Sequence, residues 1–242
     1  MASALPGDIC VGQHSVCLIR VANLDPDCTT QGGADSGFVS TGIISATATP
    51  EVIDGASFEP LTGCGDIAWA YETRSQIRRW NLSGELTYFD HEAMSILFGG
   101  SLIVGAASTP FVGKNIGWAS PFYTDTVDAD NLYVEFITLT AGKGVGDCGN
   151  IGTPFPVAVG HIFPKAQLIP GERTFEFDAA TLSFEGSSVN NPLAGNGPWN
   201  DWPGVGNIPN SGYIQVSYSS AQYAQILAGA AVNCGFQTVP LT

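Results

Sequence analysis

The sequence predicts a mainly-β domain with one clear helix and long loops, on three observations. Glycine and proline (Gly 30, Pro 15) together make up about 19% of the chain against a usual ~12%. They are interspersed with Val, Ile, Thr, Phe and Tyr runs, as turns are between strands. Two runs alternate apolar and polar residues with a period of two, and one short segment carries helical spacing with recognisable ends.

In chain order, strands are expected at Val16–Leu24, Ile43–Thr49, Ile67–Tyr71, Ile77–Tyr88, Leu132–Thr140, Val157–Leu168, Thr174–Phe184 and Tyr213–Tyr218, most edged by Gly, Pro, Asp or Asn. Trp80, Leu82, Leu86 and Tyr88 share one parity, opposite Arg79, Asn81, Ser83, Glu85 and Thr87, so that strand has one apolar and one polar face. Phe175 and Phe177 stand opposite Thr174 and Glu176, with a change of register expected near Ala179–Ala180. The helix follows the alternating strand. Asp90 is a good N-cap, Glu92 sits in the first turn, and Ala93, Met94, Leu97 and Phe98 form i, i+4 pairs before Gly99–Gly100 stops it. Ala221–Ala231 is a second helical candidate with little amphipathicity. From Gly186 to Gly212, six Gly and four Pro in 27 residues mark a long loop whose tip holds Trp199 and Trp202. Paired tryptophans there suit a docking loop.

At 242 residues the chain fits one large domain or two small ones. Residues 1–40 are read as an N-terminal strand and arm region, and 41–242 as the main β-domain with its extended loop at 186–212. Eight Lys and Arg against 22 Asp and Glu give a net charge of −14, which argues against tight gripping of nucleic acid or anionic lipid. The charged fraction, 12%, is about half the usual ~25%, as expected of a surface that faces other protein. No apolar run reaches the ~18 residues of a membrane span. The N-terminus has neither a basic region nor an apolar stretch of the secretory kind, so synthesis in a cytoplasm is expected.

Motifs for chemistry are sparse. No G-x-S-x-G elbow occurs, and His14, His91 and His161 lie far apart, so no catalytic residues are expected. Cys10, His14, Cys17 and Cys28 crowd together but lack the C-x2-C spacing of zinc sites. Asp125, Asp128 and Asp130 miss the calcium-loop pattern, so neither metal nor cofactor is expected. The six cysteines read as free or buried thiols. Three of the eight basic residues, Arg74, Arg78 and Arg79, enter the alternating strand together. Arginine favours bidentate carboxylate contacts, so they are candidate intersubunit contacts, with intramolecular pairing or solvation as the alternative.

The run Glu72-Thr-Arg-Ser-Gln-Ile-Arg-Arg-Trp-Asn-Leu-Ser-Gly-Glu-Leu-Thr-Tyr-Phe-Asp90, a short helix and Gly99-Gly100-Ser-Leu-Ile103 resemble the major tail tube proteins of long, non-contractile-tailed (siphovirus-type) phages of actinobacteria. Val159–Lys165, Thr174–Phe184 and Gly197–Pro203 are similar to the second half of that family, so the resemblance spans about residues 40–205. It implies a β-sandwich or barrel-like tail tube domain with a flanking helix and long loops or arms. It also implies hexameric rings stacked into a tube through which the genome passes, and no enzymatic activity. The implied partners are further copies of the chain and other tail proteins (tape measure, tail terminator, distal tail), with DNA passing without tight binding, no membrane insertion, and a place in the virion. Loops and terminal arms would contact neighbouring rings, with Trp199 and Trp202 as loop anchors. The alternatives are a carbohydrate-binding β-sandwich using the same tryptophans, and another virion module at the capsid surface or tail tip.

Overall fold

The computed structural model describes residues 13–24, 37–60, 64, 69–87, 91–106, 110–121, 131–140, 158–175, 180–191 and 212–232. They form strands β1 (Gln13–Asn23), β2 (Gly37–Ser40), β3 (Ile43–Ile53), β4 (Ser57–Phe58), β5 (Tyr71–Glu72) and β6 (Gln76–Leu86), then helix α1 (His91–Phe98). Strands β7 (Ser101–Val104), β8 (Asn115–Ala119), β9 (Leu132–Thr140), β10 (Ala158–Phe175), β11 (Ala180–Ser188) and β12 (Ile214–Tyr218) follow, and α2 (Ser220–Val232) ends the series. The fold is mainly β, as the composition and alternation predict.

One antiparallel sheet runs β2-β1-β9-β10-β11-β6-β3, with β12 also on β10. The 18-residue β10 joins its two halves. Ala158–Phe163 pairs with β9, and Ala158–Ile162 also with β12, whereas Ala166–Phe175 pairs with β11. A register shift between Phe163 and Ala166 marks the crossing. The halves enclose one core: Ile19, Val21, Val134 and Phe136 from the first meet Leu82, Leu86, Leu182 and Phe184 from the second, with Met94, Leu97 and Phe98 of α1 among them. The opposite face of β1 and β9 is buried as well. Leu18, Ala22, Tyr133 and Ile137 pack with Ile162, Tyr218 and Ile226, the last from α2. Burial on both faces explains why these two strands read as near-continuous apolar runs.

The helix ends follow local chemistry. Gly99 (φ 68°) and Gly100 (φ 93°) take the left-handed region where glycine is unstrained, and they stop α1 as expected. Trp118 Nε1 donates to the Gly99 carbonyl at 2.7 Å, tying the β7–β8 hairpin to the helix end. A capping box opens α2: the Gln222 amide donates to Ser219 Oγ at 3.3 Å, and the Ser219 amide donates to Gln222 Oε1 at 3.0 Å.

Two expectations are corrected. Thr174–Phe184 is not one strand but the end of β10 and the start of β11, with Phe175 facing Ala180 and Thr174 facing Thr181 across an antiparallel pair. The chain reverses there without a Gly or Pro signal, and continued alternation masks the reversal. Nor does the loop begin at Gly186, because β11 continues through Ser188, paired with both β6 and β10. Asn191 is buried beyond it, its Nδ2 donating to the Pro164 carbonyl at 3.0 Å.

Candidate assembly surfaces

The second half of the sheet, β3-β6-β11-β10, has one face on the core and one in solvent. The outward face carries Ser45, Thr47, Thr49 and Glu51 of β3, in register with Glu85, Ser83, Asn81 and Arg79 of β6. Beside them lie Ser183, Glu185 and Ser187 of β11, followed by Gln167 and Ile169 of β10. Apart from Ile169, this is a polar surface, with Ser, Thr and Asn making up more than half of the residues named. Arg79 is held by Glu51 at 2.5 Å, while Glu85 and Glu185 have no ion-pair partner among the described residues. Among those residues β3 pairs with β6 alone, and the stretch of β10 beyond Ala166 pairs with β11 alone. Among the described residues β3 and this stretch of β10 are therefore the two outer strands of the half-sheet, each paired with one neighbouring strand.

Past Glu51 the β3–β6 ribbon continues as an arm. Val52 faces Ile77, the Thr73 amide donates to the Ala56 carbonyl at 3.0 Å, and β4 pairs with β5. Val52, Ile53, Phe58, Trp69, Tyr71 and Ile77 are all exposed along it, with Phe58 and Trp69 in ring contact at 5.3 Å. A second exposed apolar group, Ile103, Val104, Phe111, Val112 and Ile116, lies on and between β7 and β8.

Of the three arginines singled out in the sequence, Arg78 and Arg79 sit at the base of this arm and Arg74 lies within it, between β5 and β6. Arg79 Nε donates to Glu51 Oε2 at 2.5 Å and Arg78 reaches Glu51 Oε1 at 3.5 Å, so the chain itself supplies their carboxylate. The hydrogen bond from Arg79 holds the Glu51 carboxyl below its ordinary range. Arg74 is exposed, with no ion-pair partner among the described residues. Trp199 and Trp202 lie outside the described residues, as do Cys10, Cys28, Cys148 and Cys234 and the acidic run 125–130. Cys17 and Cys64 are free thiols, and burial pushes the Cys17 thiol up.

Sequence reasoning missed the strongest polar cluster. Arg20 of β1 faces Glu135 of β9 directly, with Nη2 at 2.5 Å and Nε at 2.7 Å from Oε2. Tyr218 donates to the other carboxylate oxygen, and all three side chains are buried beneath α2. A Cβ on Gly160 would strike Glu135 Oε1 and the Tyr218 ring, so only glycine leaves the cluster its room. Burial opposes the Arg20 charge, and the adjacent carboxylate overcomes that, holding its pKa above the ordinary value. Burial drives the Tyr218 hydroxyl well above its usual range. The signal was a charge in each of two otherwise apolar strands.

A third polar site is half-buried. His161 Nδ1 lies 2.7 Å from the Tyr213 hydroxyl and Nε2 lies 3.2 Å from Thr138 Oγ1. Tyr213 in turn donates to Gln215 Oε1 at 3.3 Å and packs on Trp80, 4.8 Å between ring centres. These contacts serve packing between strands. Among the described residues no group of three or more His, Cys, Asp or Glu gathers as a metal site would.

No family model matches the chain, and no curated protein matches it. Among solved structures, the cryo-EM structure of the anti-feeding prophage cap (AFP tube terminating cap) is similar to it at 12% identity. That similarity covers 78% of this chain and 95% of the other, with a TM-score of 0.35.

Proposed function

We propose that the chain is a structural subunit of a phage tail tube, polymerising as stacked hexameric rings around a channel for DNA. The observation that carries this reading is the half-sheet β3-β6-β11-β10, with one face sealed on the core, a mostly polar opposite face, and among the described residues one outer strand on each side. Its four strands alternate in direction. A copy related by rotation therefore brings its β3 antiparallel to the neighbour's β10, and repeating that junction closes a continuous barrel. Closure removes the open edges that otherwise invite aggregation.

The outward face then lines the channel. Among the described residues Glu51 pairs with its one arginine, and Glu85 and Glu185 outnumber Lys165, which shares the parity of Gln167, so the face is net acidic toward DNA phosphates. The sequence resemblance described above points the same way. In this reading the protein performs no chemistry and is made in the bacterial cytoplasm. It works in the virion with tape measure, terminator and distal tail proteins. Arg74, Trp199 and Trp202 are its candidate contacts to neighbouring copies.

Negative-stain electron microscopy of the purified protein over a concentration series tests the proposal. Rings or hollow tubes of uniform diameter are expected. Discrete monomers at every concentration, also after seeding with phage tail tips, would sink it.

A further inference from the structure

We infer that the β3–β6 arm and the β7–β8 hairpin are the two halves of one head-to-tail contact, the apolar arm of one copy seating on the apolar hairpin of the next. The contact deepens the tube reading by naming its axial junction, and rests on that reading for its repetition along a tube.

The exposed apolar surface is large enough to need a partner. Phe58, Trp69 and Tyr71 are 56%, 54% and 58% exposed, and the aliphatic arm residues are exposed to a similar degree. The arm therefore presents roughly 600 Å² of apolar side chain and the hairpin roughly 400 Å², given the 150–250 Å² that each aromatic side chain can bury. The first value lies at the upper limit of the roughly 300–600 Å² typical of the largest patch on a monomer. Brought together, the two reach the roughly 1,000 Å² below which specific interfaces are uncommon.

Among the described residues the arm has no third strand. Beyond the sheet it is a two-stranded ribbon, a form marginal in water without a third layer. Gly55 runs so close to the Thr73 carbonyl that no Cβ fits, so the two sides of the ribbon approach closely there.

The two surfaces hang from opposite ends of β6. The arm leaves at Gln76, whereas α1, which carries the β7–β8 hairpin through Trp118 and Gly99, follows Leu86. Ten residue steps of extended strand separate those ends by about 33 Å. Complementary patches at opposite ends of one chain make a heterologous contact, which propagates from copy to copy. An arm-to-arm contact would close as a dimer and leave the hairpin surface in water.

The test uses two double variants, Phe58→Ser with Trp69→Ser on the arm, and Val104→Ser with Phe111→Ser on the hairpin. Far-ultraviolet circular dichroism and urea midpoints serve as folding controls. Expected in electron micrographs are stacked wild-type rings, single rings of either variant, and pairs of rings when the variants are mixed, because one intact arm surface then meets one intact hairpin surface. Variant rings that still stack, or variants that fail to pair on mixing, overturn the contact and leave the tube reading standing. Wild-type protein that forms no rings, yet associates in open chains that either variant abolishes in sedimentation velocity, sinks the tube reading and keeps the contact. Wild-type monomers at all concentrations overturn both.

Discussion

Two Arg–Glu pairs in this molecule share chemistry and geometry. Arg20 faces Glu135 directly across β1 and β9, Arg79 faces Glu51 directly across β6 and β3, and each closes to 2.5 Å. They differ in what surrounds them. The buried pair's side chains are 2% and 0% exposed, the outer pair's 42% and 30%. Water can replace either partner of the outer pair, so its attraction offsets little. Inside, both groups are shielded from bulk solvent, and each charge is tolerated because the other is present. The inner pair thus fixes how β1, β9 and β12 meet beneath α2, and the outer one tunes the charge of a surface.

The largest expected effect follows from breaking the inner pair on one side. Glu135→Ala leaves a guanidinium buried beside Tyr218 and should cost about 3–5 kcal/mol in urea unfolding. Replacing both partners, Arg20→Met with Glu135→Leu, removes the stranded charge and should restore most of that loss, since well-packed apolar replacements of buried pairs are often neutral or better. A double variant no more stable than Glu135→Ala would mean that lost packing, not an uncompensated charge, governs the site.

The same contrast explains what could be read from the sequence. Leu132–Thr140 was legible to the residue as β9, because an apolar run between turn signals describes a strand buried on both faces. Leu82 and Leu86 were legible as the core side of β6 by alternation. Arg20 and Glu135 lie 115 positions apart, so no local pattern joins them, and only the pairing of β1 with β9 does. The arginines at 74, 78 and 79 attracted notice by crowding, yet crowding says nothing of burial, and two of them share Glu51 in the same chain. The arm at the end of β3 and β6 was hidden because its exposed Val52, Ile53 and Ile77 read as ordinary strand residues. Ser219-x-x-Gln222 is a capping box legible in the sequence, and it starts α2 at Ser220, one residue ahead of the expected Ala221.

His161 sharpens the comparison from an intermediate position. Burial pushes its pKa below the ordinary 6.5. The groups facing it are Thr138 on β9 and Tyr213 ahead of β12, with Gln215 behind Tyr213, and none brings a charge. The fold therefore favours the neutral ring. Its contribution is fully present above 6.5 and is lost as pH falls from there through the lower folded value. The melting temperature should drop between about pH 7.5 and pH 5.5, and His161→Gln should flatten part of that drop. Identical pH profiles for the two proteins would show that burial at this depth does not discriminate between the ring's charge states.

The smallest effect on folding is expected at the outer pair, where the consequence moves from stability to surface charge. The Arg79 hydrogen bond holds Glu51 below its ordinary 4.5, so the pair's contribution is present above 4.5 and fades as pH falls through the lower value. Because water screens both groups, Glu51→Gln should leave the urea midpoint unchanged within error, in contrast to Glu135→Ala. It does free the Arg79 guanidinium on a face that is otherwise net acidic among the described residues. Assembled rings of Glu51→Gln should accordingly retain DNA at low salt more than wild type, with the difference disappearing as salt rises, measured by co-sedimentation. A loss of stability as large as that of Glu135→Ala would break the comparison, since burial would then not decide what an Arg–Glu pair contributes. Unchanged DNA retention would instead place this face away from the channel.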